Sequence, residues 1–386
     1  MDLFKASNQW ATRPADERFW NLEEMHQACV GYKNSAVEAT MELTDLTARA
    51  DGGEVIVSGK KNIPARLTNW SFGQLCQRVG APASYLRQLP ASLAATNINN
   101  GLQNTIKESD SKLLFHKNGS LMLRSFTSDK YKRIWNADIV QRTIEQLPKG
   151  WVVPPARPAG VAGERTRIAT EADMLKLRKN GLSVNIGDTI SPAGLYASDH
   201  DMFMFLVNEE NQVDDGSGHG LGRGFFMWNS EVGASSFGLM VFLYDTICGN
   251  HIVWNAREVQ ELRIKHVGSA DDRAFGGIKM ELLKYANDSV SETEARIKAA
   301  RSIEFGGTKD EAIDAVFAKI QKARLPITRD NLEDAHDAAE VAQRYGSPRS
   351  LWGFVNGLTE VSQKTKFTDS RVILDRAAGK LMTMQF

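Results

Sequence analysis

The sequence predicts an α+β fold: an α/β N-terminal part with a β-hairpin, a central β-rich core and a helical C-terminal part. Three observations carry this. An Asn118-Gly119 pair separates two apolar runs, 112–116 and 121–126, and Asn-Gly is the preferred tight hairpin turn because it tolerates positive φ. Between about 182 and 267, continuous apolar runs of strand length recur, the pattern of a sheet covered on both faces. Beyond 270, apolar residues fall at helical spacing behind plausible caps.

In chain order, Leu22, Met25, Cys29 and Val30 share one helical face after Asn21, a cap residue. Residues 54–58 read as a strand after the Asp51-Gly52-Gly53 turn. A helix opens at Thr68 or Asn69, buries Phe72, Leu75, Cys76 and Val79, and stops at Gly80 and Pro82. Short helices follow around 84–88 and through Leu93 and Ile98. After the hairpin, Ser128-Asp129-Lys130 turns the chain into a helix over about 136–147 with Ile139, Val140, Ile144 and Leu147 inward. Pro148, Pro154, Pro155 and Pro158, with Gly150, Gly160 and Gly163, mark a linker or long surface loop. Next come strand candidates at 202–207, 225–228, 237–244 and 251–254, with a glycine-rich acidic loop over 208–224. Helical spacing covers 278–300, 308–323, 328–345, 350–362 and 369–380. Three regions result: a basic α/β region with the hairpin (1–150), a β-rich core (151–270) and a helical region (271–386).

The 386 residues carry 47 Lys plus Arg against 47 Asp plus Glu, and 42% are hydrophobic. That composition excludes a disordered tail and a globally basic nucleic-acid binder. No apolar run approaches the length of a membrane span, so no membrane association is expected. The first residues lack a basic-then-apolar pattern, so a secretory signal is not expected. Cys29, Cys76 and Cys248 are odd in number and far apart. They form no disulfide framework or multi-cysteine metal motif and suit a reducing cytoplasm. Neutrality hides a polarity: residues 51–150 hold 14 basic against 7 acidic side chains, and 201–250 hold Arg223 alone against 7 acids. The two regions either attract each other within or between subunits, or the basic one presents a face to a polyanion.

Basic and aromatic side chains interleave from Arg124 to Trp135. Exposed rings there would stack on bases at roughly 1–3 kcal/mol each, and cations would neutralise phosphates with a steep salt dependence. The alternative is that Tyr131 and Trp135 anchor the next helix. The candidate nucleic-acid contacts are Lys60, Lys61, Arg66, Lys112, Lys117, Arg124, Lys130, Lys132 and Arg133 for phosphates and Tyr131 for stacking. Lys60, Lys61 and Arg66 join this surface if the 54–58 strand lies beside the hairpin. Asn229-Ser230-Glu231 leaves an apolar strand and must be hydrogen-bonded or exposed; Glu231 holds a cation, acts as a base, or turns the chain. Asp199-His200-Asp201 with Asp214, Asp215 and His219 offers hard-metal donors at no established spacing. Cys248 and His251 flank a turn. No P-loop, dinucleotide fingerprint or zinc-finger spacing is present, so no cofactor is expected.

Several stretches resemble the phage/plasmid-like protein family of unknown function (domain of unknown function 932), carried by phages, plasmids and prophages. They are residues 8–19, 67–75, 81–86 (Ala81-Pro82-Ala83-Ser84-Tyr85-Leu86), 126–131, 228–233 (Trp228-Asn229-Ser230-Glu231-Val232-Gly233), 248–250 and 351–356. The resemblance assigns no activity and no catalytic residue. It implies a mobile-element setting near DNA repair, recombination and anti-restriction. Together with the basic region, it leads to the expectation of a cytoplasmic, homo-oligomeric protein that binds DNA, single-stranded first, without sequence preference, in support of recombination, annealing or repair. Enzymatic activity is not required. Two alternatives stay open: an interaction protein that counters a host factor with its acidic loop, and a metal-dependent nuclease using Asp and Glu of 199–231.

Overall fold

The computed structural model describes residues 17–104, 110–147, 149–153, 157–158, 166–179, 184–192, 194–218, 220–245, 252–253, 262–287, 290–343, 345–364, 374 and 377–384. Helix α1 (Leu22–Asn34) opens where the Asn21 side chain accepts from the Glu24 amide at 2.8 Å, the cap its sequence predicts. Strands β1 (Ala36–Glu42), β2 (Thr47–Asp51), β3 (Glu54–Ser58) and β4 (Pro64–Leu67) follow. Helices α2 (Asn69–Arg78), α3 (Ala83–Leu86) and α4 (Ala91–Asn104) lead to β5 (Asp110–Asn118) and β6 (Ser120–Ser128).

These strands form a six-stranded sheet in the order β1-β5-β6-β4-β3-β2, with β4 and β6 parallel. The hairpin is present as predicted, and Gly119 supplies the positive φ of +69°. The 54–58 strand does not border it. Strand β4, whose four residues Pro64-Ala65-Arg66-Leu67 are too short a run to announce it, lies between them. One sheet face packs on α2 and α4 through Val57, Leu75, Ile98, Leu113, Leu123 and Phe126. The ladder of β5 and β6 slips once. Leu114 faces Ser125 and Phe115 faces Leu123, so Arg124 is the extra residue of a bulge, the device that re-aims a side chain within a sheet.

Helix α5 (Asn136–Gln146) has no side-chain cap of its own at Trp135. Short strand β7 (Trp151–Val152) joins the central sheet, while β8 (Arg157–Pro158), β9 (Arg167–Ile168), helix α6 (Glu171–Lys179) and strand β10 (Thr189–Ser191) build a small satellite. Of the proposed linker, Pro148, Pro154, Pro155, Gly160 and Gly163 lie outside the described residues.

The central sheet runs β11-β12-β13-β14-β15 from Leu195–Ala197, Met202–Val213, Leu221–Asn229, Phe237–Asp245 and Ile252–Val253, with β16 (Leu262–Ile264) on β14 and β7 on β12. Strand β12 continues to Val213 and β13 starts at Leu221, so the acidic loop is shorter than the sequence suggested. Both faces are covered, as the continuous apolar runs require. One face buries Met202, Met204, Phe225, Met227, Phe237 and Leu239 against α1, α5 and helix α7 (Ala270–Asn287). The other carries stacked rings, with Phe203 and Phe226 at 5.5 Å. Trp228 fits there because Gly238 offers no side chain; a Cβ at 238 would stand 2.0 Å from the indole.

Helices α8 (Val290–Ser302), α9 (Lys309–Lys322), α10 (Arg329–Ala342) and α11 (Leu351–Lys364) pack into a further core with Val213, Leu221 and Leu243 at the sheet end. Capping boxes at Thr308–Glu311 and Thr328–Asn331 start α9 and α10. The cores therefore divide the chain differently from 1–150, 151–270 and 271–386. Helices α1 and α5 belong with the central sheet, and so does α7, because their apolar faces find cover there. Among the described residues, no helix is long and apolar enough to cross a membrane.

Candidate functional site

The predicted cationic face is mostly turned inward or occupied. Arg124 is 1% exposed: its guanidinium meets Glu231 at 3.1 Å and donates from Nε and Nη2 to the Asp199 carbonyl at 3.1 and 2.6 Å. Arg133, also buried, donates to Glu38 at 2.6 Å and lies over the rings of Tyr131 and Trp135. Tyr131 stacks on His266 with centroids 4.9 Å apart, and its hydroxyl donates to the Ser230 carbonyl at 2.9 Å. Burial pushes its phenol far above the ordinary tyrosine range. Lys112 donates to the Tyr131 carbonyl, and Lys132 meets Asp271 at 3.1 Å. Arg124, Arg133 and Tyr131 are thus corrected from strand contacts to parts of an internal joint. An isolated buried charge costs far more than a surface one, so these cations sit where carboxylates and rings compensate them.

Lys60 pairs with Asp45 at 2.7 Å, and Arg66 lies 3.5 Å from Glu54. Both are exposed, and such pairs contribute only about 0–1 kcal/mol, so an incoming phosphate can replace the carboxylate. Lys61, Lys117 and Lys130 are exposed and make no ion pair among the described residues. Lys61 and Lys117 stand at the turn end of the first sheet. Lys130 stands at the other end of β6.

The joint is built around residues 229–233. The polar triplet is buried and each of its side chains is hydrogen-bonded, although Asn229 Oδ1 accepts no bond and Glu231 Oε2 has only its ion pair. Asn229 donates to the Ile134 carbonyl and to the Asn136 side chain at 2.8 and 2.7 Å. Ser230 Oγ donates to the His200 carbonyl at 2.7 Å. Glu231 Oε1 accepts the Asn136 amide at 2.9 Å, supplying α5 with the cap that Trp135 lacks and placing a carboxylate at the positive end of a helix. Its other oxygen faces Arg124. Glu231 is therefore an anchor between two sheets, not a free base. The Val232 carbonyl accepts from Trp70 Nε1 and Gln74 Nε2, both at 3.0 Å.

Where α2 meets this joint, a cleft of about 730 Å³ opens, lined by Thr68, Asn69, Trp70, Gly73, Gln74, Gln77 and Arg87 on one wall and Asp199, His200 and Gly233 on the other. The Trp70 and His200 rings meet edge to face at 4.7 Å. Asp201, nearly fully buried, faces His200 Nδ1 at 3.5 Å and is itself held by Ser198. Arg87 rests on the Phe72 ring and donates to the Asn69 carbonyl at 2.9 Å, with no carboxylate partner among the described residues. Thr68 caps α2 through the Ser71 amide, which leaves the amides of Asn69 and Trp70 without an intrahelical acceptor.

Sequence reasoning missed this cleft. Trp70 and Arg87 lie in a segment read as structural, and His200 entered only as a metal donor. The signal was a tryptophan in the first, polar turn of α2, where the buried stripe does not need it. The hard-metal grouping of 199–215 is not assembled among the described residues: Asp201 binds Ser198, while Asp214 and Asp215 close local turns with Gly216 and Ser217. The three-donor group found among those residues is instead His336, Asp337 and Glu340, and Lys309 already pairs with Asp337. His219, Cys248 and His251 lie outside the described residues.

Residues 210–381 match the family model of a domain of unknown function (DUF932), so the resemblance to a family of unknown function is borne out over that stretch. The match takes in Glu231 and Gly233 but not the α2 wall of the cleft or the 199–200 loop. No curated protein and no solved structure matches the chain.

Proposed function

We propose that this chain, which carries a domain of unknown function over 210–381, binds single-stranded DNA without sequence preference and supports recombination, annealing or repair on a mobile element. The observation that supports this most is the cleft. It brings Trp70 and His200 together with Arg87, which has no carboxylate partner among the described residues, while Lys61, Lys117 and Lys130 stand exposed at the two ends of the first sheet. Rings that stack on any base and cations that follow the sugar–phosphate give tolerant binding without nucleotide hydrolysis. The grip thus moves from the hairpin face, whose arginines serve the joint, to the α2 cleft and the outlying lysines. Several copies acting together would hold a longer strand.

Anisotropy of a labelled oligodeoxynucleotide, titrated across a salt series, tests this. Binding should weaken steeply with salt. Substituting Lys61, Lys117 and Lys130 together by alanine should flatten the log–log slope by about 2, from roughly 0.7 per lost contact. Wild-type protein that fails to bind in low salt refutes the proposal.

A further inference from the structure

We infer that the cleft between α2 and the 199–200 loop is a subsite for one nucleotide, with the base against Trp70 and His200 and its phosphate at Arg87. The inference rests on the nucleic-acid reading and specifies what the cleft holds. Its volume of about 730 Å³ falls within the roughly 300–1,000 Å³ of small-ligand sites. The two walls differ in charge, which sets the orientation. On the α2 wall, Arg87 is fixed by Phe72 and the Asn69 carbonyl, and its remaining guanidinium donors have no carboxylate to satisfy them among the described residues. The free first-turn amides of α2 lie on the same wall and favour an anion there. On the facing wall stands the exposed Asp199, whose negative charge disfavours a phosphate on that side. The His200 backbone is held by Ser198 and Ser230, and Trp70 by the Val232 carbonyl, so the residues that receive the base are anchored before it arrives.

The test titrates the full-length protein with deoxyadenosine monophosphate, thymidine monophosphate, deoxyadenosine and inorganic phosphate, following heat and tryptophan fluorescence. Deoxyadenosine monophosphate and thymidine monophosphate should both bind, the former about tenfold more tightly than deoxyadenosine, the value of one charge-assisted contact. Arg87→Gln, on the surface, should remove that tenfold advantage and leave deoxyadenosine unchanged. Trp70→Phe should weaken both while keeping a ring in place. Equal affinity of wild type and Arg87→Gln for the monophosphate overturns the inference, and so does binding of phosphate alone as tightly as the nucleotide. Oligonucleotide binding without any mononucleotide binding sinks the subsite and leaves the broader proposal standing. Mononucleotide binding without oligonucleotide binding does the reverse.

Discussion

Replacing Glu231 by glutamine isolates what the central joint contributes. The amide keeps the shape and can still accept the Asn136 amide through its oxygen, so the α5 cap survives. The charge opposite Arg124 is lost, and both side chains are 1% exposed. Removing one partner of such a buried pair costs about 3–5 kcal/mol because the other charge stays buried and uncompensated. An unfolding entropy of roughly 2.1 cal/mol/K per residue over 386 residues gives about 0.8 kcal/mol/K. If the chain unfolds in one step, the melting temperature should fall by roughly 4–6 °C. Arg124→Met alone should also destabilise, by leaving the Glu231 carboxylate unpaired. The double variant should recover a large part of the combined loss, since two neutral side chains need no compensation. Calorimetry of the four proteins reads this directly. A Glu231→Gln melt within a degree of wild type, or a double variant equal to the sum of the singles, would refute the role given to the pair.

Two further outcomes follow from the packing. His266 is buried against Tyr131, and burial depresses its imidazole to about 4 from an ordinary 6.5. A depressed folded-state value means that stability is complete above pH 6.5 and is lost as the pH falls toward 4. At pH 5 the loss should be about 2 kcal/mol, and His266→Phe, which preserves a stacked ring, should abolish that component in melts at pH 7 and 5. An unchanged pH dependence in the variant would show that other groups cause it. Gly238→Ala places a methyl 2.0 Å from the Trp228 indole; overpacking of this kind should cost about 1–3 kcal/mol, read as an earlier urea midpoint with a shift in tryptophan emission. A midpoint equal to wild type would show that the indole moves freely.

Much of the local architecture was legible. Asn21, Thr68, Thr308 and Thr328 mark helix starts because a short side-chain oxygen satisfies a free amide within the same turn. Gly119 marks the hairpin because its positive φ is a property of one residue. The runs around Phe203, Phe226 and Leu239 indicate a sheet covered on both sides, since no alternation exposes a polar face. Strands β1 and β4 were not legible. Ala36–Glu42 and Pro64–Leu67 alternate only over a few residues with small or few apolar side chains, and they become strands because β5 and β6 offer them partners.

The fate of the charges was the least legible feature. The sequence shows a basic region and an acidic one but not where each side chain points. One bulge turns Arg124 inward to meet Glu231, and Glu38 draws in Arg133. Part of the charge polarity is therefore neutralised within the chain, while Lys61, Lys117 and Lys130 remain outside. The cleft depends on tertiary structure in the same way. Trp70 and His200 are far apart in sequence, and only the grip of α2 on residues 232–233 brings their rings to 4.7 Å. Caps, turns and periodicity act over a few residues and are written locally. Burial of a charge and convergence of a site depend on partners that folding supplies from elsewhere in the chain.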